Sequence, residues 1–216
     1  MLLRLSILFF LALLGGCATY TAEYQERLVR SLPNQRDVTI HDSKTYPGDI
    51  LCGSFSRLSS NGFTMRRSKF VVGVDMIIAA PTKEDVLVYC GSESEQALFE
   101  LTGIGVTDKD WTPLVKVRDD MLVIDAAITR YYNARATLPD PLNKLLEDDY
   151  GVDPENLIDP WGRPYNYEGG LSGRTVPQYK LSSYGADGTE GGQYADADVR
   201  REQTQMLNHV LRINGY

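Results

Sequence analysis

The sequence predicts an α+β fold in which a long amphipathic helix packs on a small antiparallel sheet, preceded by a small β-rich unit. Two observations carry this prediction. Residues 37–92 contain short runs rich in Val, Ile and Phe between turn residues, a pattern typical of antiparallel strands. Between residues 110 and 134 the apolar residues recur at alternating intervals of 3 and 4, which places them on one face of a helix.

The β-rich unit is assigned to residues 37–105. Its best hairpin signal is Asn61-Gly62, and the later run DVLVYCG also resembles a strand. The segment SEQALFEL, residues 94–101, is predicted to form a short helix. We expect Cys52 and Cys90 to form a disulfide, because so small a unit buries little apolar surface. Two separately buried thiols are the alternative.

The long helix belongs to a C-terminal domain assigned to residues 106–216. Thr112 is predicted to cap its start, and Pro113 suits the first helical position, where no backbone donor is needed. Packing on the protein's own sheet is the usual role of an amphipathic face, and packing on a partner helix is the alternative. The segment QTQMLNHVLRI is predicted to dock as a final helix. The apolar face of the long helix consists of Leu114, Val117, Met121, Ile124, Ile128 and Tyr131.

The N-terminus has the order of a secretory signal: a positive charge at Arg4, an apolar run, then small residues. Leu14-Gly15-Gly16-Cys17 resembles the bacterial lipobox, so residues 1–16 are assigned to a lipoprotein signal peptide and Cys17 to lipidation. An ordinary cleaved signal with a chance cysteine is the alternative. Residues 17–36 are assigned to a lipidated tether. Ala18 after the cysteine favours the outer membrane of a Gram-negative bacterium, with the chain facing the periplasm or exposed on the surface.

The net charge of the chain argues against a nucleic-acid partner, and its excess acidic residues are concentrated in one segment. Its 216 residues carry a formal net charge of −7, which argues against nucleic acid, since phosphate binding needs clustered Lys and Arg. Residues 139–199 hold 12 Asp and Glu against 4 Lys and Arg, a net of −8. The acidic loop SSYGADGTEGGQYADADV, residues 182–199, combines carboxylates with glycines. Its composition suits either a solvated loop or a cation site.

Two motifs that follow the long helix give the C-terminal half a resemblance to a known family. The run DPWGRPY, Asp159 to Tyr165, follows the long helix and the short segment PLNKLLED. The strand-like YKLSSYG then leads into the loop ADGTEGGQYADADV. Residues 110–200 thereby resemble the C-terminal globular domain of the type II secretion major pseudopilin family. That family's hydrophobic N-terminal helix has no counterpart here, so the fold transfers more readily than the filament role.

The resemblance implies a calcium site in the acidic loop. By position it assigns the side chains of Asp187, Asp196 and Asp198 as Ca²⁺ ligands. It also assigns the backbone carbonyls of Leu181 and Tyr184. Ca²⁺ prefers oxygen ligands of both kinds and would stabilise the loop against the repulsion of its own carboxylates. The proline-fixed turn around Trp161 is predicted to bury the indole ring in a structural role.

The sequence shows no catalytic constellation, and we expect a protein that is not an enzyme. Its two histidines, His41 and His209, have no neighbours that suggest a triad or a metal centre. The leading hypothesis is a lipid-anchored envelope protein that contacts the membrane through its lipid and contacts secretion-system or other envelope proteins. A free-standing structural or binding lipoprotein is the second hypothesis. An envelope hydrolase that uses the acidic region is the third.

Overall fold

The computed structural model describes residues 21–33, 37–58, 62, 65–170 and 178–216. Contacts divide the chain into two compact units, one ending at Ser94 and the other running from Glu95 to Tyr216. The sequence-based boundary after residue 105 places the helix that begins at Ser94 in the first unit, whereas contacts place it in the second. The signal peptide, residues 1–16, and Cys17 lie outside the described residues, so their assignments stay predictions.

The first unit contains a four-stranded antiparallel sheet in the order β1-β2-β3-β4. Leu58 pairs with Met65, so β2 and β3 form the predicted hairpin. Asn61 of its turn lies outside the described residues. The strands are β1 (Thr39–Tyr46), β2 (Ile50–Leu58), β3 (Met65–Val72) and β4 (Ile77–Ile78).

A helix over residues 21–31, α1, packs against this sheet. Tyr24 and Leu28 lie one turn apart on one face of the helix, Leu32 directly follows its end, and all three are at most 5% exposed. The segment assigned to the lipidated tether thus includes a helix that contributes to a core. The core cluster joins those three residues to Leu51, Phe55, Phe70 and Val72 of the sheet.

The prediction of a strand at DVLVYCG is wrong, because this segment forms helix α2 (Lys83–Tyr89). Thr82 and Asp85 form a reciprocal capping box at its start. The Thr82 hydroxyl accepts a hydrogen bond from the Asp85 backbone N–H at 3.1 Å, and the Asp85 carboxylate accepts one from the Thr82 backbone N–H at 2.8 Å. Two satisfied donors at the helix start outweigh the strand propensity of the valines that follow.

The predicted Cys52–Cys90 disulfide is confirmed. Leu51 and Cys52 are neighbours on β2, so their side chains point to opposite faces of the sheet. Leu51 belongs to the core cluster shared with α1. Cys52 therefore uses the other face to reach Cys90, the residue directly after α2. The bond attaches α2 to the sheet.

The second unit contains a long helix, a short one on either side of it in the chain, and a three-stranded antiparallel sheet in the order β5-β6-β7. The predicted α+β fold is confirmed. Of the helices that the structure describes, none combines the length and hydropathy required to span a bilayer. The elements are α3 (Ser94–Thr102), α4 (Thr112–Arg135), β5 (Asn166–Gly169), β6 (Tyr179–Ser183), β7 (Val199–Arg200) and α5 (Thr204–Ile213), with 3-10 turns at Leu142–Leu146 and Pro154–Leu157.

Helix α4 begins at Thr112, one residue earlier than a Thr112 cap requires, so the prediction that Thr112 caps it is wrong. Trp111, which is only 1% exposed, holds the N-cap position without a side-chain bond, and Pro113 is the second helical residue, one position beyond the predicted one. The Asp110 carboxylate accepts a hydrogen bond from the Thr112 backbone N–H at 3.0 Å. Asp110 thus satisfies a donor at the helix start in place of a capping residue.

The apolar face of α4 packs within its own unit, as predicted. Its buried members include Val117, Met121 and Ile124, each at most 1% exposed. Helix α5 docks against α4, and the Thr204 hydroxyl lies 3.6 Å from the Met121 sulfur. The predicted final helix is therefore confirmed, with Leu207, Val210 and Leu211 fully buried.

Replacing both Cys52 and Cys90 with alanine should lower the free energy of unfolding by about 3–4 kcal/mol, because the bond restricts the unfolded chain across a separation of 38 residues. Urea unfolding measures this loss. Reductant should reproduce the loss in the unmodified protein and have no effect on the double variant. Equal stability of the two proteins without reductant would contradict a stabilising role for the bond.

Candidate functional site: the acidic loop and the turn beside it

A buried carboxylate joins the DPWGRPY turn to the start of the acidic loop. Asp159, only 3% exposed, accepts hydrogen bonds from the backbone N–H groups of Trp161 and Arg163 at 3.0 and 2.9 Å. Its other oxygen accepts a bond from the hydroxyl of Ser183, the last residue of β6, at 2.7 Å. The Ser183 hydroxyl also accepts a bond from the Gly185 backbone N–H at 3.3 Å. One side chain therefore fixes the turn, the end of β6 and the first residues of the loop.

The loop folds back on itself through its own backbone. The Ala186 N–H donates to the Ala195 carbonyl at 2.7 Å, and the Asp198 N–H donates to the Gly191 carbonyl at 3.1 Å. Gly192, at a φ of +84°, approaches the chain so closely that a Cβ there would lie 2.3 Å from the Asp196 carbonyl oxygen. Only glycine meets both demands, so this residue is required by the closed loop.

The three predicted carboxylate ligands occupy different surroundings. Both oxygens of Asp187 accept bonds from Thr189, one from its backbone N–H at 2.9 Å and one from its hydroxyl at 2.8 Å, and these bonds hold the pKa of Asp187 below its ordinary value. Asp198 is 6% exposed and accepts bonds from the Gly191 N–H and from Arg200. Asp196 ends an exposed 3-10 turn.

The two predicted carbonyl donors lie at the base of the loop. Leu181 is buried within β6, where it pairs with Tyr167 of β5. Tyr184 is half-buried and directly follows β6. The sheet therefore fixes the backbone at Leu181, while Tyr184 marks the point at which the chain leaves the sheet and enters the loop.

The donor types of the loop fit a hard cation, since carboxylates and carbonyls are the ligands that Ca²⁺ prefers. The side chains do not converge: among the described residues, no three Asp, Glu, His or Cys side chains are grouped closely enough to hold a metal ion. Both oxygens of Asp187 are directed at Thr189. Thr189 therefore sets the orientation of the Asp187 carboxylate.

No pattern in the sequence indicated that the loop contacts helix α3, which lies outside the resemblance. The Tyr194 ring stacks on the Phe99 ring of α3 with a centroid distance of 4.6 Å. The Tyr194 N–H also donates to the Gly103 carbonyl at 2.8 Å. Helix α3 is thus part of the support of the loop. An aromatic residue in a polar loop is the signal that could have indicated this contact.

A second buried carboxylate, also missed from the sequence, joins α4 to the same turn. Asp120, 3% exposed, accepts hydrogen bonds from Lys116, from Asn156 and from the hydroxyl of Tyr165, at 2.6, 3.1 and 2.9 Å. Burial, together with the charge of Asp120, raises the pKa of Tyr165. A tyrosine with a raised pKa keeps its proton at neutral pH, so this hydroxyl acts as a structural donor. The spacing of four residues between Lys116 and Asp120 on a helix is the sequence pattern that could have indicated their ion pair.

Trp161 is half-buried and its ring is not enclosed as predicted. The fully buried tryptophan of this unit is Trp111, at 1% exposed, directly before α4. The turn does not need the Trp161 ring to hold its shape, because Asp159 accepts the Trp161 backbone N–H. The backbone of this position, more than its side chain, is therefore fixed by the fold.

Tyr165→Phe should reduce the loss of stability at alkaline pH. The pKa of Tyr165 is raised in the folded chain, so its contribution is complete below the unfolded value of about 10 and is lost as pH rises above it. Urea unfolding between pH 9 and 11 should show a slope smaller by up to about 1.4 kcal/mol per pH unit in the variant. Tyr216→Phe, at an exposed position, should keep the slope of the unmodified protein, and an equal slope in all three would contradict the prediction.

Comparison with known proteins places this turn and this loop in one family. Residues 115–202 match the family model described as Type II secretion system (T2SS), protein G. The chain is also 50% identical over 42 residues to the Type II secretion system core protein G of Pseudomonas aeruginosa. That match covers 19% of this chain and 28% of the relative. No solved structure matches the chain at a significant level.

The matched range includes every element of the site except helix α3 and the start of α4. It begins within α4, includes the Asp159 turn and the whole acidic loop, and ends before α5. Residues 1–114 lie outside it, including the disulfide and the sheet of the first unit. The second unit of the chain therefore carries a type II secretion pseudopilin-like domain.

Proposed function

We propose that this chain is a non-catalytic, lipid-anchored envelope protein whose pseudopilin-like domain makes protein contacts in a secretion or pilus-like assembly. One observation carries the proposal: residues 115–202 match a type II secretion family and include the complete Asp159-centred turn and loop. The family is structural, and the two buried carboxylates beside the loop are fully engaged in hydrogen bonds that hold the fold. These contacts support a binding role.

The location in the envelope follows from the same relation, and the anchor is part of the proposal. Cys17 carries the lipid in our proposal, with residues 1–16 removed as its signal peptide, and the outer membrane is the destination. Several acyl chains on one cysteine, at about 0.8 kcal/mol per buried methylene, would anchor the chain far more stably than a single acyl chain does. Replacement of the N-terminal helix of a pseudopilin by a lipid would retain the chain at a membrane as a fixed component.

Calcium is the proposed stabilising ion of the acidic loop. Asp187, Asp196 and Asp198 supply the carboxylates and the carbonyls of Leu181 and Tyr184 complete the proposed set. The charge of these side chains supports the proposal, because the nearly buried Asp198 has, among the described residues, one ion-pair partner, Arg200, at 3.3 Å. A divalent cation would offset the repulsion among the carboxylates.

A free-standing structural or binding lipoprotein is the second candidate, and a specific observation favours it. The disulfide-linked first unit lies wholly outside the matched range, and the relative is covered over 28% of its length. A domain of this fold joined to an unrelated unit can serve an unrelated partner. The two candidates differ in what the protein contacts within the envelope.

Crosslinking and affinity purification of the full chain from intact envelopes should recover type II secretion or pilus-like components, because the matched domain supplies the contact surface. The control is the same chain ending at residue 94, which keeps the first unit and lacks the second. Recovery of equal amounts with both chains, or of no such components with either, would favour the free-standing lipoprotein.

Calcium titration of residues 18–216 should raise the melting temperature, since an ion that binds only the folded loop stabilises the folded state. At a free concentration of 100 times the dissociation constant the gain is about 2.7 kcal/mol, a rise of roughly 5–10 °C for a chain of this size. Asp187→Ala should abolish the rise, whereas Asp148→Ala, an exposed partner of Arg135 outside the loop, should retain it. No rise in the unmodified protein would exclude the calcium proposal.

A further inference from the structure

Arg163 reaches from the DPWGRPY turn across the first half of the acidic loop. Its guanidinium donates through Nη1 to the Gly185 carbonyl at 3.1 Å and through Nη2 to the Ala186 carbonyl at 2.9 Å. The planar fork of arginine suits two neighbouring acceptors, which a lysine ammonium cannot bridge with the same geometry. The guanidinium therefore binds two consecutive carbonyls at the point where the chain leaves β6.

The loop is built to admit this side chain. Gly188 has a φ of +70°, and a Cβ there would lie 2.4 Å from Arg163 Nε and 2.7 Å from Cζ. Any side chain at position 188 would displace the guanidinium, and the positive φ disfavours one as well. The absence of a side chain at Gly188 thus leaves the space through which Arg163 reaches the carbonyls.

Hydrogen bonds fix both the backbone and the guanidinium of Arg163. Its backbone N–H donates to Asp159 at 2.9 Å, and Asp159 also accepts from Ser183, two residues before the first carbonyl that Arg163 binds. The guanidinium and the loop it binds are therefore positioned by the same buried carboxylate. The nearby Arg163 charge adds to the hydrogen bonds from Thr189 that lower the pKa of Asp187.

We propose that Arg163 is a positioning residue that acts as the resident cation of the acidic loop, holding the Gly185 and Ala186 carbonyls in place with or without a metal ion. Those two carbonyls are committed to the guanidinium and are not metal ligands. The first half of the loop is accordingly ordered before any ion binds. The statement about metal ligands rests on the proposed calcium site, whereas the ordering role of Arg163 does not.

Hydrogen exchange on the full chain, purified in mild detergent with EDTA, tests the ordering role. The amides of Ala186 and Asp198 close the loop and report its opening. In Arg163→Gln the peptide covering residues 183–199 should exchange about tenfold faster than in the unmodified protein, because two charge-assisted bonds are lost. The peptide covering residues 39–58 should be unchanged. Unchanged exchange of the loop peptide in Arg163→Gln would overturn the proposal.

Two further variants keep the result interpretable. Arg135→Gln removes an exposed arginine of the same unit that pairs with Asp148, and it should leave exchange of the loop unchanged. If Arg163→Gln unfolds the unit, Arg163→Lys decides: faster exchange confined to residues 183–199 supports the proposal, and unchanged exchange overturns it. Equal acceleration in Arg135→Gln and Arg163→Gln also overturns it.

Adding Ca²⁺ to the same samples separates this inference from the calcium proposal. Slower loop exchange with Ca²⁺ in the unmodified protein and in Arg163→Gln supports both the calcium proposal and the role of Arg163. Ca²⁺ would then bind while Arg163 holds the Gly185 and Ala186 carbonyls, so these carbonyls are not needed as ligands. If Ca²⁺ changes neither protein, the calcium proposal fails, and the comparison in EDTA still supports or overturns the role of Arg163. If Ca²⁺ slows loop exchange in the unmodified protein and in Arg163→Gln but not in Asp187→Ala, the Ca²⁺ effect acts through the carboxylates.

Discussion

The burial of Asp159 is the constraint on which the second unit depends. A carboxylate that is 3% exposed must have its oxygens satisfied, and here the donors are two backbone N–H groups of its own turn and the hydroxyl of Ser183. The turn and the end of β6 are thereby brought together, although 24 positions separate Asp159 from Ser183. Asp120 repeats the arrangement on α4 with donors from three parts of the chain. Asp159 therefore fixes the start of the loop, and Asp120 fixes the turn beside it.

The sequence predicted the elements of the fold that follow from apolar periodicity or from a local motif. The apolar spacing of α4 and α5 identified both helices, because a buried helical face requires that spacing wherever the helix packs. The DPWGRPY motif identified the turn and, with the glycine-rich loop, the family relation later supported by the match over residues 115–202. The disulfide was predictable because two cysteines in one small β-rich unit have few other uses.

The sequence did not predict two kinds of feature: segments in which two local preferences compete, and contacts between residues far apart in the chain. At DVLVYCG, strand propensity and a capping box favour different structures, and the four-residue box prevailed because it satisfies two backbone donors. Tyr194 and Phe99 meet across 95 positions, and no local pattern encodes such a pairing. Arg163 occupied an ordinary position in a motif. Its importance depends on the Gly188 opening and on carbonyls more than 20 residues away, which exist only in the folded chain.

The acidity of the segment from 139 to 199 is therefore not one site. Much of it is already neutralised or engaged by hydrogen bonds in separate places: Asp148 pairs with Arg135, Glu168 pairs with Lys180, and Asp159 is satisfied by three donors. The loop itself carries the four carboxylates Asp187, Glu190, Asp196 and Asp198, with cations at Arg163 and Arg200 beside them. A loop that carries part of its counter-charge within the chain needs less from a bound ion to stay folded. An ion held by the proposed ligands would join the base of the loop at Leu181 and Tyr184 to its closing end at Asp196 and Asp198, a connection that Arg163 does not make.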